Sequence, residues 1–178
     1  TRTIVNQVEA MKNLVNAFRD YAKLPTPVLE PLDLGALVRE VLHLYESAPI
    51  PVEADLQADL PLVQGDASQL RQVIHNLLQN AGDALAECPA PRIQLLTRQE
   101  GERAVLLVRD NGPGFPGDLI NRAFEPYVTT KARGSGLGLA IVKKIIDEHG
   151  GDIRLAHREG GGAEVRIRLR LAAAVELT

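Results

Sequence analysis

The sequence predicts an α/β protein of the α+β type. We expect a two-layer sandwich with a mixed, mostly antiparallel sheet of about five strands packed on three helices. The clearest sign is segment 163–171, where apolar and charged residues alternate as in a strand with one buried and one solvent-exposed face. Amphipathic helical segments could cover the buried face. Leu, Val, Ile and Ala must build the core, because 45% of residues are hydrophobic but only 3% are aromatic.

The first 23 residues predict a helix with an apolar seam. Apolar residues recur at alternating spacings of four and three, the heptad pattern of a helix that packs against another helix. The seam residues are Ile4, Val8, Met11, Val15, Phe18 and Ala22. Pro25 and Pro27 end the helix. We expect the seam to pair with a partner helix in a dimeric bundle. The alternative is that it packs on the chain's own globular domain.

The sequence divides into a helical-bundle remnant at 1–24, an extended linker at 25–33 and a globular domain at 34–178. Asp33 and Asp66 are predicted helix N-caps, because their carboxylates can accept from first-turn amides. The predicted elements of the domain are helices at 34–46, 67–87, 118–122 and 137–149, and strands at 51–56, 62–64, 92–99, 103–109, 152–157 and 163–171.

The composition argues against several classes of function. The net charge is −3 and no aromatic residue separates the arginines of the last strand, so we expect a solvated sheet face rather than a nucleic-acid surface. The single cysteine, Cys88, excludes an internal disulfide framework and a cysteine-based zinc cluster. No apolar run approaches the roughly 18 residues of a transmembrane span, and the N-terminus lacks a signal-peptide pattern. We therefore expect no membrane contact by this segment.

Two glycine-rich segments predict a nucleotide site. One is Gly134-Ser135-Gly136-Leu137-Gly138 at the start of a predicted helix, and the other is Asp110-Asn111-Gly112-Pro113-Gly114. Glycines let backbone amides approach phosphate oxygens, and a helix N-terminus directs unpaired N–H groups at them. The first segment is not a Walker A loop, because no Lys-Ser or Lys-Thr follows it. Either segment alone could equally be a tight turn or a helix cap.

The long helix predicted at 67–87 carries a polar stripe beside its apolar face. Asn76, Asn80 and Asp83 recur at i, i+4 and i+7, so they share one stripe at the border of the core. Asparagine is a poor helix former, and its amide oxygen suits a hard cation such as Mg²⁺. The alternative is that the asparagines only bond to neighbouring backbone. The apolar face is predicted to comprise Leu70, Val73, Ile74, Leu77, Leu78, Ala81 and Leu85.

Four motifs resemble, in order, the N, G1, F and G2 boxes of the sensor histidine kinase catalytic domain, which has the ATP-binding Bergerat fold. They are Asn76-Leu77-Leu78-Gln79-Asn80-Ala81, Asp110-Asn111-Gly112-Pro113-Gly114-Phe115, Phe124-Glu125-Pro126-Tyr127 and Gly134-Ser135-Gly136-Leu137-Gly138-Leu139. Residues 11–25 resemble the second helix of the dimerisation and phosphoacceptor hairpin, so the resemblance covers nearly the whole chain. Asn80-Ala81-Gly82-Asp83-Ala84 and Thr129-Thr130-Lys131 are most similar to nitrogen-regulation sensor kinases of the NtrB and NtrY type.

The resemblance implies a kinase core that binds ATP or ADP with Mg²⁺. Such a core transfers the γ-phosphoryl group to a histidine on a hairpin helix, for relay to a response regulator. The resemblance also implies that the intact protein is a homodimer through its N-terminal helix. We expect it to be cytoplasmic, either free or as the cytoplasmic part of a membrane-anchored sensor.

The resemblance also implies roles for single residues at the two ends of the nucleotide. Asn80 would hold Mg²⁺ at the triphosphate, and Asn76 would support the phosphates one helical turn away. Asp110 would accept a hydrogen bond from the adenine amino group, while Gly112 and Gly114 shape the base pocket. A carboxylate that only accepts hydrogen bonds selects adenine's amine over guanine's carbonyl.

A lid between the two glycine motifs is implied by the same resemblance. Phe124 and Tyr127 would anchor it, and residues 127–134 should be poorly ordered without nucleotide. Asn76, Asn80 and Lys131 are the expected catalytic residues, with Lys131 reaching a phosphate as a point charge. The other expected nucleotide contacts are Asp83, Thr130, Gly134, Ser135, Gly136, Leu137 and Gly138.

One feature departs from a complete kinase. The acceptor histidine of the family is followed by an acidic residue and, two positions later, a basic one. None of the four histidines, His43, His75, His149 and His157, stands in that context. We therefore expect the acceptor helix to lie outside this chain.

Two other functions compete with the kinase. An ATP hydrolase of the same superfamily would carry a glutamate one turn before the metal asparagine as general base, whereas this chain has Asn76, whose amide cannot take a proton. A non-catalytic adenine-nucleotide sensor or dimerisation module would share the same motifs. Phosphoryl transfer depends on positioning and charge neutralisation, so docking of an acceptor helix separates the kinase from the sensor.

Overall fold

The computed structural model describes residues 1–115, 119–125 and 138–173. The helices in these ranges are α1 (Arg2–Ala22), α2 (Leu34–His43), α3 (Ala67–Ala84), α4 (Leu119–Arg122) and α5 (Gly138–Glu148). The strands are β1 (Glu30–Leu32), β2 (Val52–Leu56), β3 (Val63–Gly65), β4 (Ile93–Glu100), β5 (Arg103–Asp110), β6 (Asp152–His157) and β7 (Ala163–Arg170).

The main sheet has five strands in the order β2-β4-β5-β7-β6. β2 runs parallel to β4, and the other neighbouring strands are antiparallel. β1 and β3 pair separately as a short antiparallel ladder. The predicted mixed, mostly antiparallel sheet is therefore confirmed.

One hydrophobic core joins α2, α3 and α5 to the inner face of the sheet. All the apolar residues predicted for the core face of α3 are buried, and none is more than 6% exposed. Each buried aliphatic side chain of this size contributes about 1.5–3 kcal/mol to folding. The apolar face thus fixes α3 against the sheet, and with it the polar stripe at the border of that face.

Arginines occupy the opposite face of the sheet. β7 has the predicted alternation, since Ile167 and Leu169 are buried whereas Arg170 is exposed. Arginines of this face pair with acidic residues of other strands, through Arg166–Glu100, Arg168–Asp152 and Arg109–Glu164. The hydrogen bond from Arg168 holds the pKa of Asp152 below its ordinary value.

The central strand β5 is buried on both faces. Val105 and Leu107 point to the outer face and are nevertheless 0% exposed. Directly opposite them in register lie Arg168 and Arg166. The aliphatic stems of long arginine side chains can shield apolar neighbours while the guanidinium groups stay in water. The arginine row therefore acts as part of the sheet's packing.

Two helices end three residues earlier than predicted. α2 ends at His43 rather than at residue 46, and α3 ends at Ala84 rather than at residue 87. Beyond each end the backbone bonds span three residues instead of four, as in Leu44 N–H to Val41 O and Leu85 N–H to Gly82 O. Such turns tighten the last coil of a helix and extend an amphipathic pattern past its end.

The segment predicted as a linker contains strand β1, which pairs with β3. Pro31 lies in the middle of this strand. Proline carries no N–H to donate to a ladder, so its presence weakens the strand signal in the sequence. The backbone carbonyl of Pro25 also accepts a bond from Gln69 Nε2 at 2.7 Å. The segment is therefore held against the domain at several points.

Both predicted N-caps are confirmed. Asp33 Oδ1 accepts from Ala36 N–H at 3.0 Å, and Asp66 Oδ1 accepts from Gln69 N–H at 3.2 Å. Asp66 Oδ2 accepts in addition from Val28 N–H at 2.9 Å. Burial disfavours the charged form of Asp66, but the hydrogen bonds from backbone amides outweigh it and lower its pKa.

The seam of α1 is exposed to solvent. Met11 is 65% and Phe18 is 51% exposed. The other large apolar residues of the seam, Ile4, Val8 and Val15, are exposed to a similar extent. The alternative in which this seam packs on the chain's own domain is therefore wrong. The end of the helix contacts the domain, where Lys144 Nζ lies 5.5 Å from the ring centre of Tyr21. No helix in the described ranges has the length and apolar character that crossing a membrane requires.

Candidate nucleotide-binding site

The polar stripe of α3 lies beside the first residue of α5. Asn76 Nδ2 donates to the backbone carbonyl of Gly138 at 3.5 Å. A Cβ added to Gly138 would lie 3.7 Å from Asn80 Oδ1. The first amides of a helix have no partners within that helix and carry a partial positive charge. The two asparagines therefore flank a helix N-terminus, which is a suitable place for an anion.

Asp110 ends β5 and is only 6% exposed. Its Oδ1 accepts from Gly112 N–H at 2.9 Å and from Ala163 N–H at 3.3 Å. Its Oδ2 accepts no hydrogen bond from the residues that the structure describes. One carboxylate oxygen is thus held by the protein, and the other is left to accept from a ligand.

The two glycines after Asp110 lie in tightly packed places. A Cβ on Gly112 would lie 3.2 Å from the carbonyl oxygen of Ala84 at the end of α3. Gly114 has a φ of 79°, which disfavours any other residue, and a Cβ there would lie 2.8 Å from His157 Nδ1. The glycines therefore let the loop fit between α3 and β6.

Asn111 ties the same loop to the segment before β4. Its Oδ1 accepts from Arg92 N–H and its Nδ2 donates to the carbonyl of Ala90, both at 2.7 Å. Asn111 lies within the second glycine motif, but the resemblance assigns it no role. An asparagine directly after a strand, followed by glycine, is a signal that could have identified it, because its side chain can replace backbone partners at a turn.

α3 connects the two ends of the site. Ala84, against the loop that follows Asp110, lies four residues after Asn80 and eight after Asn76. At a rise of 1.5 Å per residue, Asn80 and Asn76 lie about 6 and 12 Å from Ala84 along the helix axis. The site is thus elongated, with a buried carboxylate at one end and amide side chains beside a helix N-terminus at the other.

The structure describes only part of the predicted site. Phe124 is half-buried and packs against the core just after α4, next to buried Ala123. Asp83 is exposed and continues the stripe of Asn76 and Asn80. The predicted site residues outside the described ranges are Tyr127, Thr130, Lys131, Gly134, Ser135, Gly136 and Leu137.

Three of the four histidines make polar contacts within the domain. His43 Nδ1 lies 3.0 Å from Glu46 Oε1, and His75 Nδ1 lies 3.1 Å from the hydroxyl of Tyr45. The buried ring of His149 donates from Nδ1 to the carbonyl of Ile145 at 2.7 Å and accepts at Nε2 from Asp66 N–H at 3.1 Å. This pair of bonds requires the neutral Nδ1–H form.

Comparison with known proteins identifies the domain. Residues 65–173 match the family described as histidine kinase-, DNA gyrase B-, and HSP90-like ATPase. Nitrogen regulation protein NtrY of Azorhizobium caulinodans is 35% identical over 96% of this chain and 23% of its own length. C4-dicarboxylate transport sensor protein DctB of Pseudomonas aeruginosa is 36% identical over 89% of this chain and 27% of its own length. The chain thus spans about a quarter of these curated relatives.

Solved structures with the same fold are histidine kinases. Full-length ShkA in complex with AMPPNP matches with a TM-score of 0.77 and 30% identity, over 97% of this chain and 39% of that one. Histidine kinase ThkA in complex with response regulator protein TrrA matches with a TM-score of 0.79 and 28% identity, over 96% and 50%. The family match covers the helix with the two asparagines and the strand that ends in Asp110. The chain therefore belongs to the family of histidine kinase-, DNA gyrase B- and HSP90-like ATPases.

Proposed function

We propose that this chain is the catalytic core of a two-component sensor histidine kinase of the NtrY type. It binds ATP with Mg²⁺ and transfers the γ-phosphoryl group to a histidine on a hairpin helix, for relay to a response regulator. The observation that carries the proposal is the elongated site along α3, whose two ends offer a hydrogen-bond acceptor for a base and a helix N-terminus for phosphates. Among the structural relatives, ShkA binds AMPPNP and ThkA binds a response regulator.

Adenine would be recognised at the Asp110 end. Oδ2 of this carboxylate accepts from the exocyclic amino group, while Oδ1 stays on the amides of Gly112 and Ala163. Guanine presents a carbonyl oxygen at the same position. This oxygen and Oδ2 are both acceptors, so they cannot form a hydrogen bond with each other. Gly112 and Gly114 would shape the base pocket by letting the loop after Asp110 pack closely against α3 and His157, and Phe124, which packs against the core, would anchor the lid.

Phosphates would be bound at the other end. Amides at the start of α5 face them, including that of Gly138, and Lys131 adds a positive charge. Asn80 presents an amide oxygen near Gly138, and oxygen donors of this kind fit Mg²⁺. Bound there, the metal would neutralise charge on the transferring phosphoryl group. The side-chain amide of Asn76 holds the start of α5 by donating to the backbone carbonyl of Gly138.

Hydrolysis should be slow in this site. Asn76 stands one turn before Asn80, and its amide cannot deprotonate a water molecule. Transfer therefore depends on an imidazole that a partner helix presents in line with the phosphate. ATP turnover measured with and without an added acceptor hairpin tests this point. We expect little phosphate release from the chain alone and ATP consumption that follows the hairpin concentration. Fast release without the hairpin would favour a hydrolase, and ATP binding without consumption would favour a nucleotide sensor.

We also propose the arrangement of the intact protein. Residues 1–24 are the second helix of the dimerisation hairpin, residues 25–33 connect it to the domain, and residues 34–178 form the ATP-binding domain. The exposed heptad seam of α1 supports pairing with a second copy. We propose in addition that this part of the protein lies in the cytoplasm, on its own or as the cytoplasmic part of a membrane-anchored sensor.

A further inference from the structure

The turn between β6 and β7 places one arginine beside the candidate adenine acceptor. Arg158 N–H donates to the carbonyl of Gly162 at 2.9 Å, and Gly161 N–H donates to the carbonyl of Arg158 at 3.1 Å. Gly160, Gly161 and Gly162 all have positive φ, between 86° and 107°. The turn is therefore tight, and its backbone bonds fix where the side chain of Arg158 begins.

The side chain of Arg158 bonds to the backbone of Asp110. Its Nη1 donates to the Asp110 carbonyl oxygen at 3.1 Å. The same hairpin also holds the Asp110 carboxylate, through Ala163 N–H. Gly162 packs so closely that a Cβ on it would lie 2.0 Å from the Asp110 carbonyl oxygen. The hairpin thus contacts both the carbonyl and the carboxylate of one residue.

A second contact joins the hairpin to the loop that follows Asp110. The rings of His157 and Phe115 meet edge-on with their centres 6.0 Å apart. The same histidine lies against Gly114. The turn therefore covers the loop from Asp110 to Phe115 on one side, while Asn111 holds it on the other.

We propose that Arg158 is a positioning residue for adenine recognition and acts through Asp110. Its charged guanidinium makes a strong hydrogen bond to the Asp110 carbonyl, which resists rotation of that peptide. Rotation would swing the carboxylate and move Oδ2 away from the amino group of the base. The inference rests on the proposed nucleotide site, and it assigns a selectivity role to a residue outside the four motifs.

The test compares Arg158→Met with Arg158→Lys in the 178-residue chain. Methionine keeps much of the stem but no donor, whereas lysine keeps a positive donor with different geometry. Arg154→Met is the matched control, because Arg154 is an exposed arginine on strand β6, four residues before Arg158. Dissociation constants for ATP and GTP with Mg²⁺ are measured by displacement of a fluorescent ATP analogue, and thermal unfolding is followed without nucleotide.

We expect Arg158→Met to weaken ATP binding by about two- to tenfold, the value of one hydrogen bond, with little change for GTP. The preference for ATP over GTP should fall accordingly, and Arg158→Lys should give an intermediate preference. Arg154→Met should match the original chain. A loss shared equally by ATP and GTP, or an unchanged preference, would overturn the proposal.

If Arg158→Met does not fold, Arg158→Ala, which also lacks a donor, replaces it, and an ATP preference equal to that of the original chain then contradicts the role. An original chain that does not bind ATP would overturn this inference together with the proposed function. An original chain that prefers ATP, combined with unaffected Arg158 variants, would overturn only the inference.

Discussion

Replacing Asp110 with asparagine tests the adenine assignment with almost no change in shape. Oδ1 of Asp110 serves two backbone donors, the amides of Gly112 and Ala163. Asparagine has only one acceptor oxygen, and its other group donates. If the oxygen stays on the backbone amides, the NH₂ group meets the amino group of adenine and two donors face each other. If the amide turns, the two backbone donors lose their acceptor.

The size of the effect follows from this geometry. A hydrogen bond to a charged group contributes about 1.5–3 kcal/mol, and losing it should weaken ATP binding by roughly 10- to 150-fold. In the first orientation the NH₂ group could donate to the guanine carbonyl, so GTP binding should be unchanged or tighter. The preference for ATP over GTP should therefore fall by at least about tenfold.

Equilibrium titration of both nucleotides with Mg²⁺ measures this preference. Asp147→Asn is the control, because Asp147 is an exposed carboxylate on α5 that pairs with Lys143. Far-ultraviolet circular dichroism checks that Asp110→Asn still folds. ATP binding by Asp110→Asn equal to that of the original chain would refute the assignment of Asp110 to the base. An equal loss for ATP and GTP would show that the variant had damaged the site as a whole.

Three further outcomes are expected. Asn80→Ala should abolish Mg²⁺-dependent phosphoryl transfer. The unfolding temperature should stay nearly unchanged, because Asn80 is only half-buried at the edge of the core. A transfer rate equal to that of the original chain would exclude Asn80 as a metal ligand. Val15→Lys on the exposed α1 seam should reduce self-association in sedimentation experiments, whereas Asn13→Lys off the seam should not; equal behaviour would argue against the seam as an interface. Because the pKa of Asp66 is lowered on folding, the stabilisation linked to its charge is present above its ordinary value of 3.8 and is lost as the pH falls through the lowered value. The stability difference between the original chain and Asp66→Asn, measured by urea unfolding, should therefore shrink on acidification, and a difference that grows would contradict this.

The sheet and the core helices could be predicted because local pattern and tertiary packing agree there. The apolar face of α3 and the alternation in β7 follow directly from which side chains are buried. Both patterns can therefore be recognised in the sequence without knowing which elements pack against them. The N-caps Asp33 and Asp66 follow equally from local chemistry. Strand β1 could not be predicted in this way, since its pairing with β3 is non-local and Pro31 hides the strand signal.

The candidate site was predictable as a set of residue types but not as a set of contacts. The stripe of Asn76 and Asn80 follows from helical spacing, yet its position beside Gly138 depends on how α5 packs across α3. The bond from Arg158 to Asp110 joins residues 48 positions apart and has no local signature. Contacts of this kind depend on strand register, which a single sequence specifies only weakly.

Transfer of labelled γ-phosphate tests the central claim most directly. The chain is mixed with Mg²⁺, γ-labelled ATP and a separate polypeptide that carries an acceptor hairpin, and the phosphorylated products are separated and treated with acid. We expect acid-labile phosphate on the hairpin histidine and none on the chain itself, because none of the chain's own histidines stands in an acceptor context. Acid-labile label on any of the chain's four histidines, or ATP binding with no label on a hairpin taken from an NtrY-type kinase, would contradict it.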